Sequence, residues 1–152
     1  MVGVEPSSWN LGSVTHEEFK KYEPTIGVNS RFVVKMGTEG CIYYDKDRLV
    51  KAKSCTTLNP AILKDHKVVD TVGAGDAFMS GFARTFTSIK FEGHDEQAIL
   101  ELIEECLHFS NVCGFITVCR NGAQSSPNFS EVQTFMKKYD LCAPEEISLC
   151  YK

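Results

Sequence analysis

The sequence predicts an α/β fold, with helices packed on a sheet. Short runs of β-branched and aromatic residues occupy the first third. A long stretch after residue 95 repeats its apolar side chains every 3.6 residues, and a glycine-rich turn lies between the two. A length of 152 residues suits one domain with a buried core, so residues 1–152 are read as one unit.

Thr15-His-Glu-Glu18 has capping-box spacing, and Glu17 with Lys21 would support a short helix through an i,i+4 pair. After Gly27 and Asn29, Arg31 to Met36 reads as a strand. Gly37-Thr-Glu-Gly40 reads as a tight turn, and Cys41–Tyr44 with Leu49–Ala52 as a hairpin around the solvated turn 45–48. The span 53–67 is polar and reads as irregular. Val68-Val69 then leads into the glycine-rich turn and a helix carrying Ala77, Phe78, Gly81, Phe82 and Phe86. From Glu96 to about Thr117, Ile99, Leu102, Ile103, Cys106, Phe109, Cys113 and Ile116 mark a long amphipathic helix that Asn121-Gly122 stops. Pro127 and Ser130 introduce a last helix, Glu131 to Lys138, with Val132, Phe135 and Met136 on its buried side.

Hydrophobic residues make up 43% and charged residues 24% of the chain, the balance of a globular protein. A net charge of -4 argues against nucleic acid or an anionic membrane as partner, since both require a basic surface. Neither a membrane-spanning run nor a leader at Met1–Trp9 is expected, and a cytoplasmic location fits. The seven cysteines include no Cys-x-x-Cys pair, and the four histidines are scattered, so no metal cage is expected. Reduced thiols acting as small core side chains are the expected state, with Cys106 and Cys113 on one helix face.

The chemistry lies in Val68-Val-Asp-Thr-Val-Gly-Ala-Gly-Asp-Ala-Phe78. Gly73 and Gly75 let the backbone turn tightly and approach a ligand. The free N–H groups of Ala74, Gly75 and Asp76 and the positive helix end converge on one spot, suited to a transferring phosphoryl group. Asp76, in the first turn, could accept a proton from an attacking hydroxyl. It could also merely complement the helix dipole, while the glycines only turn the chain. A Walker loop is ruled out because no Gly-Lys-Ser/Thr is present, and a dinucleotide fingerprint lacks its third glycine.

Asp70-Thr-Val-Gly-Ala-Gly-Asp-Ala-Phe-Met-Ser-Gly81 resembles the signature of the ribokinase/PfkB family of carbohydrate kinases. Val33-Val-Lys-Met-Gly37-Thr-Glu-Gly40 is similar to that family's strand and nucleotide loop. Asn111-Val-Cys-Gly114 is similar to the helix segment beside the adenine, and Thr117 to Gln124 to the stretch that closes the ATP pocket. The resemblance covers about Phe32 to Phe135. It implies the C-terminal portion of a ribokinase-like sheet with flanking helices, the N-terminal portion and β-strand lid being missing.

The resemblance also implies roles. Asp76 would be the catalytic base, and the backbone of Gly73, Ala74, Gly75 and Asp76 the anion hole for the γ-phosphate. Gly37 and Gly40 would flank the nucleotide, with Asn111 and Gly114 near its base. A looser match places a monovalent-cation site at Asp70 with backbone oxygens around Val72, Thr117 and Gly122, which allows K⁺. Val72 departs from the usual Thr or Asn. ATP and Mg²⁺ are the implied cofactors, a small sugar the implied acceptor, and a homodimer of the full-length form is allowed. The family's Asn-x-x-Glu segment, which helps place magnesium, is not intact: Glu5 is the candidate for its Glu, with Val2 in place of Asn. Lys35 reads as an exposed strand-end lysine rather than a phosphate contact. Members of the family are longer, so the chain reads as a fragment or truncated copy.

The expected function is transfer of the ATP γ-phosphate to a sugar hydroxyl. A nucleoside kinase of the same family is an alternative, with Arg120 to Gln124 closer to the sugar kinases. An inactive, truncated nucleotide-binding module is another. A Rossmann-type oxidoreductase is disfavoured by the missing glycine.

Overall fold

The computed structural model describes residues 10–21, 31–122 and 124–141. A three-stranded antiparallel sheet in the order β1-β2-β3 is formed by β1 (Phe32–Lys35), β2 (Gly40–Tyr44) and β3 (Leu49–Lys53). Its register sets Lys35 opposite Cys41, and Cys41 opposite Ala52. Every residue of β2 is buried, as an apolar run in the middle of a sheet covered on both faces should be.

Alternation along β2 divides the core. Cys41 and Tyr43 face α4 (Ala74–Phe86) and α5 (Glu96–Val118), meeting Phe78, Phe82, Ile103 and Leu107. Ile42 and Tyr44 face the other way, toward Val14 and Phe19, the latter on α1 (His16–Lys20). There Phe19 stacks on Tyr44 with ring centroids 4.6 Å apart. A further apolar cluster joins the C-terminal half of α5 to α6 (Phe129–Lys138) through Phe109, Val112, Ile116, Val132, Phe135 and Met136.

The hairpin, both long helices and the buried face of the last helix follow the sequence pattern. Several details differ. Glu17 pairs with Lys20 at i,i+3, at 3.0 Å, rather than with Lys21. The Thr15 N–H donates to the Glu18 carboxylate at 2.8 Å, as a capping box requires. Residues 37–39 form a turn of 3₁₀ helix. The span read as irregular holds the last residue of β3 and two short helices, α2 (Cys55–Leu58) and α3 (Ile62–Asp65). Ser54 caps α2 by accepting the Thr57 N–H at 3.2 Å. α6 starts earlier than Glu131, because Asn128 and not Ser130 is its cap: the Asn128 side chain accepts the Glu131 N–H at 3.0 Å, and Glu131 accepts the Asn128 N–H at 2.8 Å. α5 ends at Val118, so Gly122, with φ +88°, turns the chain after the helix rather than stopping it.

Cys41, Cys55, Cys106 and Cys113 are buried free thiols, and Cys119 is half-buried. Burial pushes the first four up to about 12, which leaves them protonated packing groups. Cys142 and Cys150, like Val2 and Glu5, lie outside the described residues. Among the described residues no helix is long and apolar enough to cross a membrane.

Candidate active site

The glycine-rich turn hangs from the end of α5. The Val69 and Asp70 N–H groups both donate to the Val118 carbonyl, at 2.7 and 3.1 Å. Asp70 Oδ1 accepts the Val72 N–H at 3.0 Å, and Oδ2 accepts the Gly122 N–H at 3.2 Å. Gly73 then takes a left-handed conformation, φ +82°, which a residue with a Cβ adopts at a cost, and α4 begins at Ala74. The two glycines of the turn therefore differ. Gly73 makes the bend, while Gly75 is already helical and open. At the start of α4 the Ala74 N–H reaches back to the Thr71 carbonyl at 3.4 Å, the Gly75 N–H has no intrahelical partner, and Asp76 is exposed beside it.

The second wall comes from the sheet. Gly37 has φ +57°, and the Met36 N–H donates to the Gly40 carbonyl at 2.8 Å to close the loop. A Cβ at Gly40 would run into the Ala52 carbonyl of β3, so only glycine lets the loop enter β2 there. The Thr38 carbonyl accepts the Ser54 hydroxyl at 2.6 Å and the Thr57 hydroxyl at 3.0 Å, which ties the loop to α2.

The third wall is α5. Asn111 donates from Nδ2 to the Lys53 carbonyl at 3.3 Å and to Cys41 Sγ at 3.4 Å, holding the helix to the sheet. A Cβ at Gly114 would lie 3.3 Å from the Ala74 carbonyl, so this glycine lets α5 close on the start of α4. Gly114 thus helps to position the glycine-rich turn, besides being the residue expected near a nucleotide base.

These walls enclose a cavity of about 440 Å³, within the usual range of small-molecule sites. Gly37, Gly40, Asn111, Gly114, Ala74 and Gly75 all line it, as does Lys35. The structure thus brings the nucleotide-loop, helix and phosphate-turn residues together. Sequence reasoning missed Ser54, Thr56 and Leu63, which line the cavity from the short-helix region. The available signal was Ser54 three residues before Thr57, an N-cap pattern.

The four positions of the looser cation match also meet. Asp70 contacts Gly122 directly, and the Ser125 hydroxyl lies 2.7 Å from the Gly122 carbonyl and 3.5 Å from the Thr117 carbonyl. Thr117 is buried with its own hydroxyl bonded to the Cys113 carbonyl, and Val72 is exposed.

Residues 7–129 match the family model described as pfkB family carbohydrate kinase. Probable fructokinase-7 of Arabidopsis thaliana is 34% identical over 105 residues, covering 68% of this chain and 27% of that protein. Fructokinase-1 of Oryza sativa subsp. japonica is 32% identical over 121 residues, covering 78% of this chain and 32% of that protein. The chain spans less than a third of the length of these two curated relatives. Among solved structures, ribokinase from Thermotoga maritima matches with a TM-score of 0.56 at 29% identity, over 82% of this chain and 35% of that one. A putative ribokinase II from E. coli, solved with ATP and Mg²⁺, shares the fold at a TM-score of 0.56 and 24% identity, over 82% of this chain and 34% of that one. Because the matched residues 7–129 make up most of this chain, the chain belongs to the pfkB family of carbohydrate kinases.

Proposed function

We propose that the chain is the nucleotide side of an ATP-dependent sugar kinase. The observation that carries this reading is the single cavity shared by the 37–40 loop, the Asn111–Gly114 segment and the first turn of α4. A nucleotide with its base toward Asn111 and Gly114 would direct its phosphates to the N–H groups of Ala74 and Gly75, where helix polarity stabilises negative charge. Asp76, exposed in that turn, accepts the proton of the acceptor hydroxyl. The freed oxygen attacks the γ-phosphorus, the bond to the β–γ bridging oxygen breaks, and ADP leaves. Positioning and charge stabilisation then supply most of the rate.

Magnesium neutralises the phosphates when bound. Among the described residues no three carboxylate, His or Cys groups gather to hold a metal, and Glu5, the candidate of the magnesium segment, lies outside them. K⁺ at Asp70 would have to displace the Ser125 hydroxyl from between the Thr117 and Gly122 carbonyls. A small sugar as acceptor, a cytoplasmic location and a homodimer of a longer form belong to this same reading.

The test measures ADP released with ATP, Mg²⁺, K⁺ and a panel of hexoses, pentoses and nucleosides, in the 152-residue chain and in any longer form of the protein. The short chain is expected to bind ATP weakly and phosphorylate none of them. In a form that turns over a sugar, Asp76→Asn should lower kcat by about two to four orders of magnitude with ATP affinity near the parent's. Near-parent turnover in that variant would sink Asp76 as the base. A nucleoside preferred over every sugar would replace the acceptor.

A further inference from the structure

Lys35 ends β1, forty positions before Gly75 in the chain, yet its side chain reaches the first turn of α4. A Cβ built on Gly75 would fall 2.6 Å from Lys35 Nζ. Lys35 is exposed, lines the cavity together with Gly37 and Gly75, and has no ion-pair partner among the described residues. Its backbone is fixed by pairing opposite Cys41, one step before the Met36–Gly40 bond that closes the loop.

The Asp76 carboxylate shares this turn but makes no ion pair with Lys35, so the ammonium meets the helix start without a bound counter-charge. Cations stabilise the C-terminal end of a helix, and the N-terminal end carries positive partial charge. An ammonium over the start of α4 therefore sets two positive poles side by side. An anion between them turns that repulsion into two attractions. The strand end and the helix start also belong to the same cavity, so the anion they would share lies where the nucleotide reading puts the terminal phosphates.

We infer that Lys35 is a phosphate-binding residue. Its ammonium donates to a non-bridging oxygen of the β- or γ-phosphate of a nucleoside triphosphate, on the same group that the Gly75 N–H would meet. A lysine suits the role, because a point charge on a flexible stem follows a phosphoryl group that moves during transfer. The inference rests on the proposed nucleotide site and adds to it a side chain that separates triphosphate from monophosphate.

The experiment is equilibrium titration of the 152-residue chain with ATP, ADP and AMP, in parent, Lys35→Gln and Lys35→Arg, with thermal melting as the folding control. Lys35→Gln should weaken ATP about tenfold, the usual loss of one charge-assisted hydrogen bond, and AMP less than about twofold. Lys35→Arg should keep ATP affinity within about threefold of the parent, since the charge is retained. ATP affinity should also depend less steeply on salt in Lys35→Gln. Parent-like ATP affinity in Lys35→Gln, or equal losses for ATP and AMP, overturns this inference and leaves the nucleotide site standing. A parent chain that binds none of the three overturns both.

Discussion

Two glycines six residues apart on α4 show how differently the two ends of one helix are built. At Gly81, in the interior, a Cβ would lie 2.8 Å from Cys113 Sγ, 3.3 Å from Cys113 Cβ and 3.5 Å from Ser110 Cα, all on the neighbouring helix. At Gly75 the same atom would meet only the tip of Lys35. Gly81 is a packing residue that lets α4 and α5 touch. Gly75 keeps a surface clear. The first turn of α4 also packs on α5, through Ala74 against Gly114, but its Gly75 side is left uncovered by backbone.

Filling both positions tests that contrast. Gly81→Val should lower stability by about 1–3 kcal/mol in chemical denaturation, because a side chain is forced into a closed interface. Cys113→Ala in the same chain should recover part of the loss, the sign of a direct clash. If Gly81→Val melts like the parent, the interface is looser than described.

Gly75→Ala should behave in the opposite way. Its neighbour is the end of a flexible side chain, and alanine favours helix over glycine by about 1 kcal/mol, so stability should hold or rise slightly. ATP binding should weaken severalfold as the backbone is screened and Lys35 displaced. A stability loss as large as that of Gly81→Val would erase the distinction between the two ends.

A smaller effect concerns α6, which packs on the far half of α5. The hydrogen bond with the Asn128 N–H, then the Arg120 guanidinium, hold the Glu131 carboxyl below its usual range. A depressed folded value means that the stabilisation is full above the unfolded value and fades as pH falls through the folded one. Glu131→Gln should therefore melt slightly below the parent at neutral pH and match it in acid. Both groups are well exposed, so the shift should be small and should shrink in high salt. Melting curves that differ equally at both pH values would remove the carboxylate from the cap.

Much of this was legible in the sequence for local reasons. The run 41–44 read as one strand of a hairpin and forms it. The 3.6-residue repeat from Ile99 to Ile116 marked the long helix, but not that its second half is buried on nearly every side, with Val112 to Thr117 all buried. The glycine-rich turn at the start of α4 was legible because glycines, helix start and acidic residue are adjacent in the chain. What escaped depends on distance. The span 53–67 looked irregular because α2 and α3 have only four residues each, too short for periodicity, and are fixed by contacts such as Ser54 with Thr38. Ser130 with Gln133 offers the same capping-box spacing as Asn128 with Glu131, so the sequence did not decide between them, and it is the Asn128–Glu131 pair that forms. Lys35 is the exposed strand-end lysine that the sequence suggested, but its closeness to Gly75 could not be read because forty positions separate them. The roles of Gly114 and Asn111 as spacers and ties between elements are likewise invisible in a linear reading.

One arrangement beside the turn bears on the field an anion would meet. α5 runs 23 residues and brings its negative pole to Val118, which also lines the cavity. A bare carbonyl end there, with Asp70 two residues before Val72, would repel the phosphate that α4 is meant to attract. Both groups are instead muffled by donors. The Val118 oxygen takes the N–H groups of Val69 and Asp70, and each Asp70 oxygen takes one from Val72 or Gly122. The same hydrogen bonds that anchor the turn therefore act as an electrical shield, leaving the positive start of α4 as the pole that faces the cavity.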